Sequence, residues 1–119
     1  MKFMSEEEST ALVSHEMVFE AAREALIAAA GNPAIFPAVI AHGTLPTNRI
    51  SIKLASTPHF AGLKVGSFWP GNAERGLPRH NSTILLFDQS VGRVEWVIEG
   101  SKVNAYRTSA ADAVAADVR

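Results

Sequence analysis

The chain contains no cysteine. Disulfide frameworks, thiolate metal sites and cysteine nucleophiles are therefore excluded together. It also lacks a charge surplus. Eleven Lys and Arg stand against 12 Asp and Glu, a net charge of −1, so bulk electrostatics give no case for nucleic acid or an anionic membrane as partner. No long apolar run is present. The longest, residues 34–41, is interrupted by Pro37 and falls far short of the ~20 residues a membrane span needs. Lys2 is followed by Ser5 and three glutamates, not by the apolar stretch of a signal peptide. Together these absences predict a soluble, cytoplasmic protein. GxGxxG, Walker and nucleophile-elbow motifs are missing as well. The four histidines, His15, His42, His59 and His80, have no partner at metal-ligand spacing, so no metal is expected.

What is present suits one small globular domain spanning residues 1–119, with 47% hydrophobic and 19% charged residues. Ser5 and Glu8 have capping-box spacing, and Glu6, Glu7 and Glu8 suit a helix N-terminus, so a short helix is predicted to about Val13. Ser14 reads as the cap of a second helix. Its apolar face is Met17, Val18, Ala21, Ala22, Ala25, Leu26 and Ala29, and Gly31-Asn32-Pro33 ends it. Ile50 to Leu54 alternates as a half-buried strand would, and Leu63 to Trp69 is a second candidate. A Gly- and Pro-rich loop follows over Pro70 to Pro78. Thr83 to Phe87 reads as a strand buried on both faces. A turn at Asp88 to Arg93 returns Val94 to Ile98 as its hairpin partner. After Gly100-Ser101 an Ala-rich helix begins, with no stop signal before Arg119. The expected fold class is α+β: two N-terminal helices, a mostly antiparallel sheet and a closing helix.

Lys64, between Leu63 and Val65, is the first candidate for chemistry. A lysine facing inward from a strand is costly unless paired or poised, and would serve as an anion ligand or a base; an edge lysine facing water is the plainer alternative. Lys53 shares a strand face with Ser51, and Arg49 precedes that strand; either can be ordinary surface. Arg107 lies in the first turns of the closing helix, where a guanidinium beside backbone N–H groups suits a carboxylate or phosphate. Arg79 and His80 flank the Gly- and Pro-rich loop, a common setting for function.

Several runs, taken together, are similar to the ornithine cyclodeaminase/mu-crystallin family. They are Gly62-Leu63-Lys64-Val65-Gly66-Ser67, Pro70-Gly71-Asn72, Arg75-Gly76-Leu77-Pro78, Leu85-Leu86-Phe87-Asp88 and Arg107-Thr108-Ser109-Ala110-Ala111. The N-terminal pattern Glu20-Ala21-Ala22-Arg23-Glu24-Ala25-Leu26 agrees. The resemblance implies a part of an NAD- or NADP-dependent oxidoreductase that reduces imines, oxidises amino acids or deaminates ornithine. This chain would be the N-terminal segment of a substrate-binding and dimerisation domain, with a cofactor-holding Rossmann domain beyond residue 119. On its own it would bind no cofactor and be inactive.

By the same resemblance, Lys64 binds the substrate carboxylate and assists proton transfer at the amine. Arg107 holds that carboxylate, with Ser109 replacing the usual alanine. Arg49 is the candidate for an upstream substrate arginine, on a shorter spacing than is usual. Lys53, Arg79 and His80 depart from the common pattern. Within the runs Asn48-Arg49, Ser51-Ile52-Lys53, Phe68-Trp69-Pro70-Gly71-Asn72, Leu77-Pro78-Arg79-His80-Asn81-Ser82 and Val103-Asn104-Ala105-Tyr106-Arg107 they resemble the branch that reduces iminosuccinate. A dicarboxylate needs a second cationic anchor, which Lys53, Arg79 or His80 could supply. A homodimer is expected. The alternative is a non-catalytic module for small-ligand binding or dimerisation.

Overall fold

A computed structural model describes residues 1–31, 36–56 and 59–104 of the chain. Asn32-Pro33, Arg107, the closing helix past residue 104, and the side chains of Leu26 and Ala29 lie outside the described residues.

Both N-terminal helices form where the caps place them. Helix α1 runs Glu6–Leu12; Ser5 Oγ accepts from Glu8 N at 3.2 Å and donates to Glu8 Oε1 at 3.1 Å. Helix α2 runs His15–Gly31, and Ser14 Oγ accepts from Met17 N at 3.1 Å. These bonds satisfy amide donors that a helix start otherwise leaves open.

The strands are β1 (Lys2–Met4), β2 (Val39–His42), β3 (Arg49–Ser56), β4 (Ala61–Phe68), β5 (His80–Asp88) and β6 (Arg93–Glu99). They form one mixed sheet in the order β1-β6-β5-β4-β3-β2. Only β1 on β6 is parallel; the other pairings are antiparallel. The architecture is thus α+β. Strands β3 to β6 lie where alternation and turn residues predict them. Strands β1 and β2 are additions. The Gly- and Pro-rich loop contains a 3-10 helix over Pro70–Arg75, closed by Gly76 at φ 68°. Asn72 Nδ2 donates across the loop to Pro78 O at 3.0 Å.

The β5–β6 turn is fixed by its first and last residues. Asp88 Oδ1 accepts from Ser90 N at 2.9 Å and Ser90 Oγ at 2.6 Å, which lowers the Asp88 pKa below its usual value. Gly92 takes φ 74°, a left-handed conformation that favours glycine.

Antiparallel register decides which side chains share a face. Lys64 lies opposite Lys53 on β3 and Ile84 on β5. Helix α2 lies on that face. Met17, Val18, Ala21, Ala22 and Ala25 line a cavity together with Lys64 and Ile84. Val18, 8% exposed, is the one buried apolar side chain among the described residues.

The opposite face is a belt of apolar residues. Register aligns Leu54, Leu63, Leu85, Val97 and Phe3 in one row across β3, β4, β5, β6 and β1. The expectation that Thr83 to Phe87 is buried on both faces is therefore corrected: all five are only half-buried. The reason is that α2 covers the Lys64 face alone, while Leu54 and Phe3 on the other remain 49% and 59% exposed.

Residues 101–104 are helical and are tied back to α1. Glu6 accepts Ser101 N at 3.0 Å and Lys102 N at 2.9 Å through its two carboxylate oxygens. Ser9 Oγ donates to Glu99 O at 2.5 Å. One acidic side chain from the start of the chain thus caps a helix about a hundred residues later, favourable both as hydrogen bonds and against the helix dipole. Glu6→Ala is expected to lower unfolding free energy by about 1–3 kcal/mol, the range for hydrogen bonds to a charged group. Urea titration of the variant checks this. A loss under about 0.5 kcal/mol, the scatter of ordinary surface substitutions, would remove the cap from the account.

Candidate active site

Three cross-strand rows on the Lys64 face build the site. The first is Lys53–Lys64–Ile84, the second Ser51–Gly66–Ser82, and the third Arg49–Phe68–His80. Successive rows are two residues apart along each strand, roughly 6.7 Å. The rows floor a cavity of about 370 Å³, to which Ser101 and Asn104 contribute from the chain after β6.

In the first row two lysines stand side by side. Like charges at directly opposed positions repel, an arrangement that favours an anion between or above them. Lys64 Nζ donates to Asn104 Oδ1 at 2.6 Å, which fixes the ammonium at the start of the closing helix. In the third row Phe68 is an aromatic platform. The Arg49 guanidinium lies 5.5 Å from its ring centroid, a cation–π distance. The His80 ring stacks on it with centroids 4.6 Å apart and planes 28° from parallel. Both basic groups are thereby positioned over the sheet.

The middle row carries hydroxyls. Ser82 is 7% exposed. Its backbone is satisfied, with N donating to Ser101 Oγ at 3.2 Å and O accepting Gly100 N at 2.9 Å. Its hydroxyl oxygen is buried and has no hydrogen-bond partner among the described residues. Between Ser51 and Ser82 stands Gly66. A Cβ there would lie 3.1 Å from Ser51 Oγ, so the glycine keeps the space between the hydroxyls open.

Arg49, Lys53, Lys64 and His80 all line this one cavity, and no Asp or Glu lies among the described residues around it. Arg79 is exposed, precedes β5, and is absent from the lining; its carbonyl accepts Trp69 N at 2.8 Å. Arg107 lies outside the described residues. Ser51, Phe68, Ser82 and Asn104, which belong to the runs of the branch resemblance but carry no assigned site role there, join the site, and so does Ser101, which those runs do not include. A glycine inside a strand was the available signal for the middle row, since it marks a close approach.

Among the described residues no group of three His, Cys, Asp or Glu is placed to hold a metal ion. None of their helices is long and apolar enough to cross a membrane.

The chain is similar to known proteins in sequence and in fold. Residues 10–117 match the model of the ornithine cyclodeaminase/mu-crystallin family. The iminosuccinate reductase of Paracoccus denitrificans is 47% identical over 53 residues, 44% of this chain and 17% of that protein. The ketimine reductase mu-crystallin of Rattus norvegicus is 36% identical over 52 residues, again 44% of this chain and 17% of the relative. Among solved structures, the Δ1-pyrroline-2-carboxylate reductase of Thermococcus litoralis, in complex with NADH and L-proline, superposes with a TM-score of 0.87 at 27% identity. The match covers 94% of this chain and 36% of that one. The Paracoccus denitrificans iminosuccinate reductase in complex with NAD+ gives 0.80 at 33% identity, over 93% of this chain and 35% of the other. The chain thus spans about a third of these solved relatives.

Proposed function

The chain belongs to the ornithine cyclodeaminase/mu-crystallin family, and on that premise we propose that it forms the substrate-binding part of an NAD(P)-dependent imine reductase or amino-acid dehydrogenase. The observation that carries this reading is a cavity lined by Arg49, Lys53, Lys64 and His80 with no carboxylate beside them among the described residues. Such a cavity suits an acid. Lys64, with Arg107 as the family resemblance assigns it, would clamp the α-carboxylate, and its ammonium can deliver a proton to an adjacent imine nitrogen. Lys53, Arg49 and His80 remain for a second carboxylate. That favours a dicarboxylic imino acid such as iminosuccinate, whose reduction gives aspartate, and the relative of that activity supports the choice.

The described residues do not fit a nicotinamide dinucleotide. They contain no parallel strand–helix–strand unit and no glycine-rich dinucleotide turn. The cofactor named with the solved relatives, NAD+ or NADH, is assigned to the rest of a longer protein, and no step is routed through these residues to it. A homodimer completes the reading. The apolar belt of Leu54, Leu63, Leu85, Val97 and Phe3 would meet a second copy.

The test is NADH consumption by the full-length protein with imines generated from ammonia and either oxaloacetate or pyruvate. Preference for the four-carbon diacid is expected. Lys53→Met should then raise KM for the diacid imine about tenfold or more, the value of one charged hydrogen bond, and leave the monoacid nearly unchanged. Equal activity with both acids would remove the dicarboxylate assignment. The alternative is a ligand-binding or dimerisation module without catalysis. It predicts diacid binding without NADH consumption.

A further inference from the structure

Ser82 presents a hydroxyl that the fold does not use. It is 7% exposed, its backbone groups are bonded to Ser101 and Gly100, and its Oγ has no partner among the described residues. Burying a hydroxyl without a hydrogen bond costs stability, so such a group calls for an explanation. Ser82 lines the basic cavity, in the middle row between the lysine pair and the Arg49–Phe68–His80 row. Beside it Gly66 contributes no side chain, and a Cβ there would press on Ser51 Oγ at 3.1 Å. The result is a slot with an orphan hydroxyl at one wall and cations on both flanks.

We propose that Ser82 is a specificity-determining residue, whose Oγ donates a hydrogen bond to the second carboxylate of a dicarboxylic ligand seated over Gly66. The surrounding groups dictate the direction of that bond. The side chains of Arg49, Lys53 and Lys64 carry only donor hydrogens and no acceptor atoms, so the group they attract is an acceptor. A hydroxyl among them serves such a group by donating. With one carboxylate held at Lys64, the next carboxylate of a four-carbon acid lies toward the serine row, and a monocarboxylic acid leaves Ser82 unused. This inference rests on reading the cavity as a carboxylic-acid site.

The test measures affinity and stability together. The full-length protein, with and without NAD+, is titrated by calorimetry with succinate, an unreactive four-carbon diacid, and with propionate. Ser82→Ala is expected to weaken succinate about tenfold, as for a hydrogen bond to a charged group, and propionate less than twofold. The ligand-free Tm is expected to stay level or rise, because an unsatisfied buried hydroxyl has been removed. Gly66→Ala, which fills the slot, is expected to weaken succinate by a similar factor. Unchanged succinate affinity in Ser82→Ala with a lowered Tm overturns the proposal and makes the hydroxyl a structural group bound to water. Equal weakening of both acids also overturns it, since Ser82 would not then face the second carboxylate. Failure of the wild-type protein to bind either acid overturns the reading of the cavity itself and this inference with it. Wild-type binding with an unaffected Ser82→Ala variant overturns this inference alone.

Discussion

Lys64→Ala in the full-length protein is expected to lower kcat by about 10²–10⁴, the usual contribution of a positioned acid–base group. The effect is expected to be that large because the side chain is placed for two tasks. In the proposed function it clamps the α-carboxylate and protonates the imine nitrogen, and its ammonium is held at the closing helix by Asn104 at 2.6 Å. The fold should survive. Removing the ammonium deprives Asn104 of one partner, a loss of about 1 kcal/mol for a partly solvated hydrogen bond. Lys64→Arg separates the two tasks. Arginine keeps the positive charge but does not give up its proton in this pH range, so KM is expected to stay within a few-fold of wild type while kcat falls. Steady-state kinetics of both variants, with circular dichroism to confirm folding, check this. Near-normal turnover by Lys64→Ala would end the catalytic assignment. Equal losses of kcat in both variants support it, and recovery of Lys64→Ala by added methylamine would identify the missing group as an amine.

The parts of this site visible in the sequence are those set by local chemistry. Ser5, Glu8 and Ser14 mark helix starts because capping acts over three residues. Alternation shows β3, and Asp88 and Gly92 show the β5–β6 turn, for the same reason. Strand β1 is only three residues long and is held by parallel pairing to β6, at the far end of the described chain. No local pattern encodes such a contact. Strand β2 pairs with β3 across a hairpin and is exposed along its length, which leaves it no alternation to read. The cavity has the same limitation. Lys53 on its own reads as surface, and only register brings it opposite Lys64. Ser51 and Ser82 are small polar residues of no particular promise until register aligns both with Gly66. Arg79 and His80 look equivalent in sequence, yet strand alternation puts only His80 over Phe68. Arg107 was marked by its helix-start position and by the family motif.

Leu85→Glu is expected to convert the proposed dimer into a monomer, raising the apparent dissociation constant at least 100-fold. Leu85 sits at the centre of the apolar row, between Leu63 on β4 and Val97 on β6. Full burial of a leucine stabilises by roughly 1.5–3 kcal/mol, so five aligned apolar residues represent a large driving force left partly open to water. A carboxylate at the centre would have to be desolvated with no cation opposite it, at a cost of several kcal/mol. Sedimentation velocity of wild type, Leu85→Glu and the hairpin control Gln89→Glu checks this. A wild-type monomer at all concentrations, or an undisturbed Leu85→Glu dimer, would exclude this face as the interface. The consequence reaches the chemistry because the strands are shared. Leu85 follows Ile84 and Leu63 precedes Lys64, so the residues proposed to meet a second copy alternate with those that floor the cavity. A sheet pressed from the apolar side holds its rows of cations at fixed spacing, and one released from it is free to twist. Monomeric Leu85→Glu is therefore expected to lose diacid affinity as well, although the substituted side chain faces away from the ligand. A monomeric variant with unchanged succinate affinity would show that the cavity keeps its geometry without the partner.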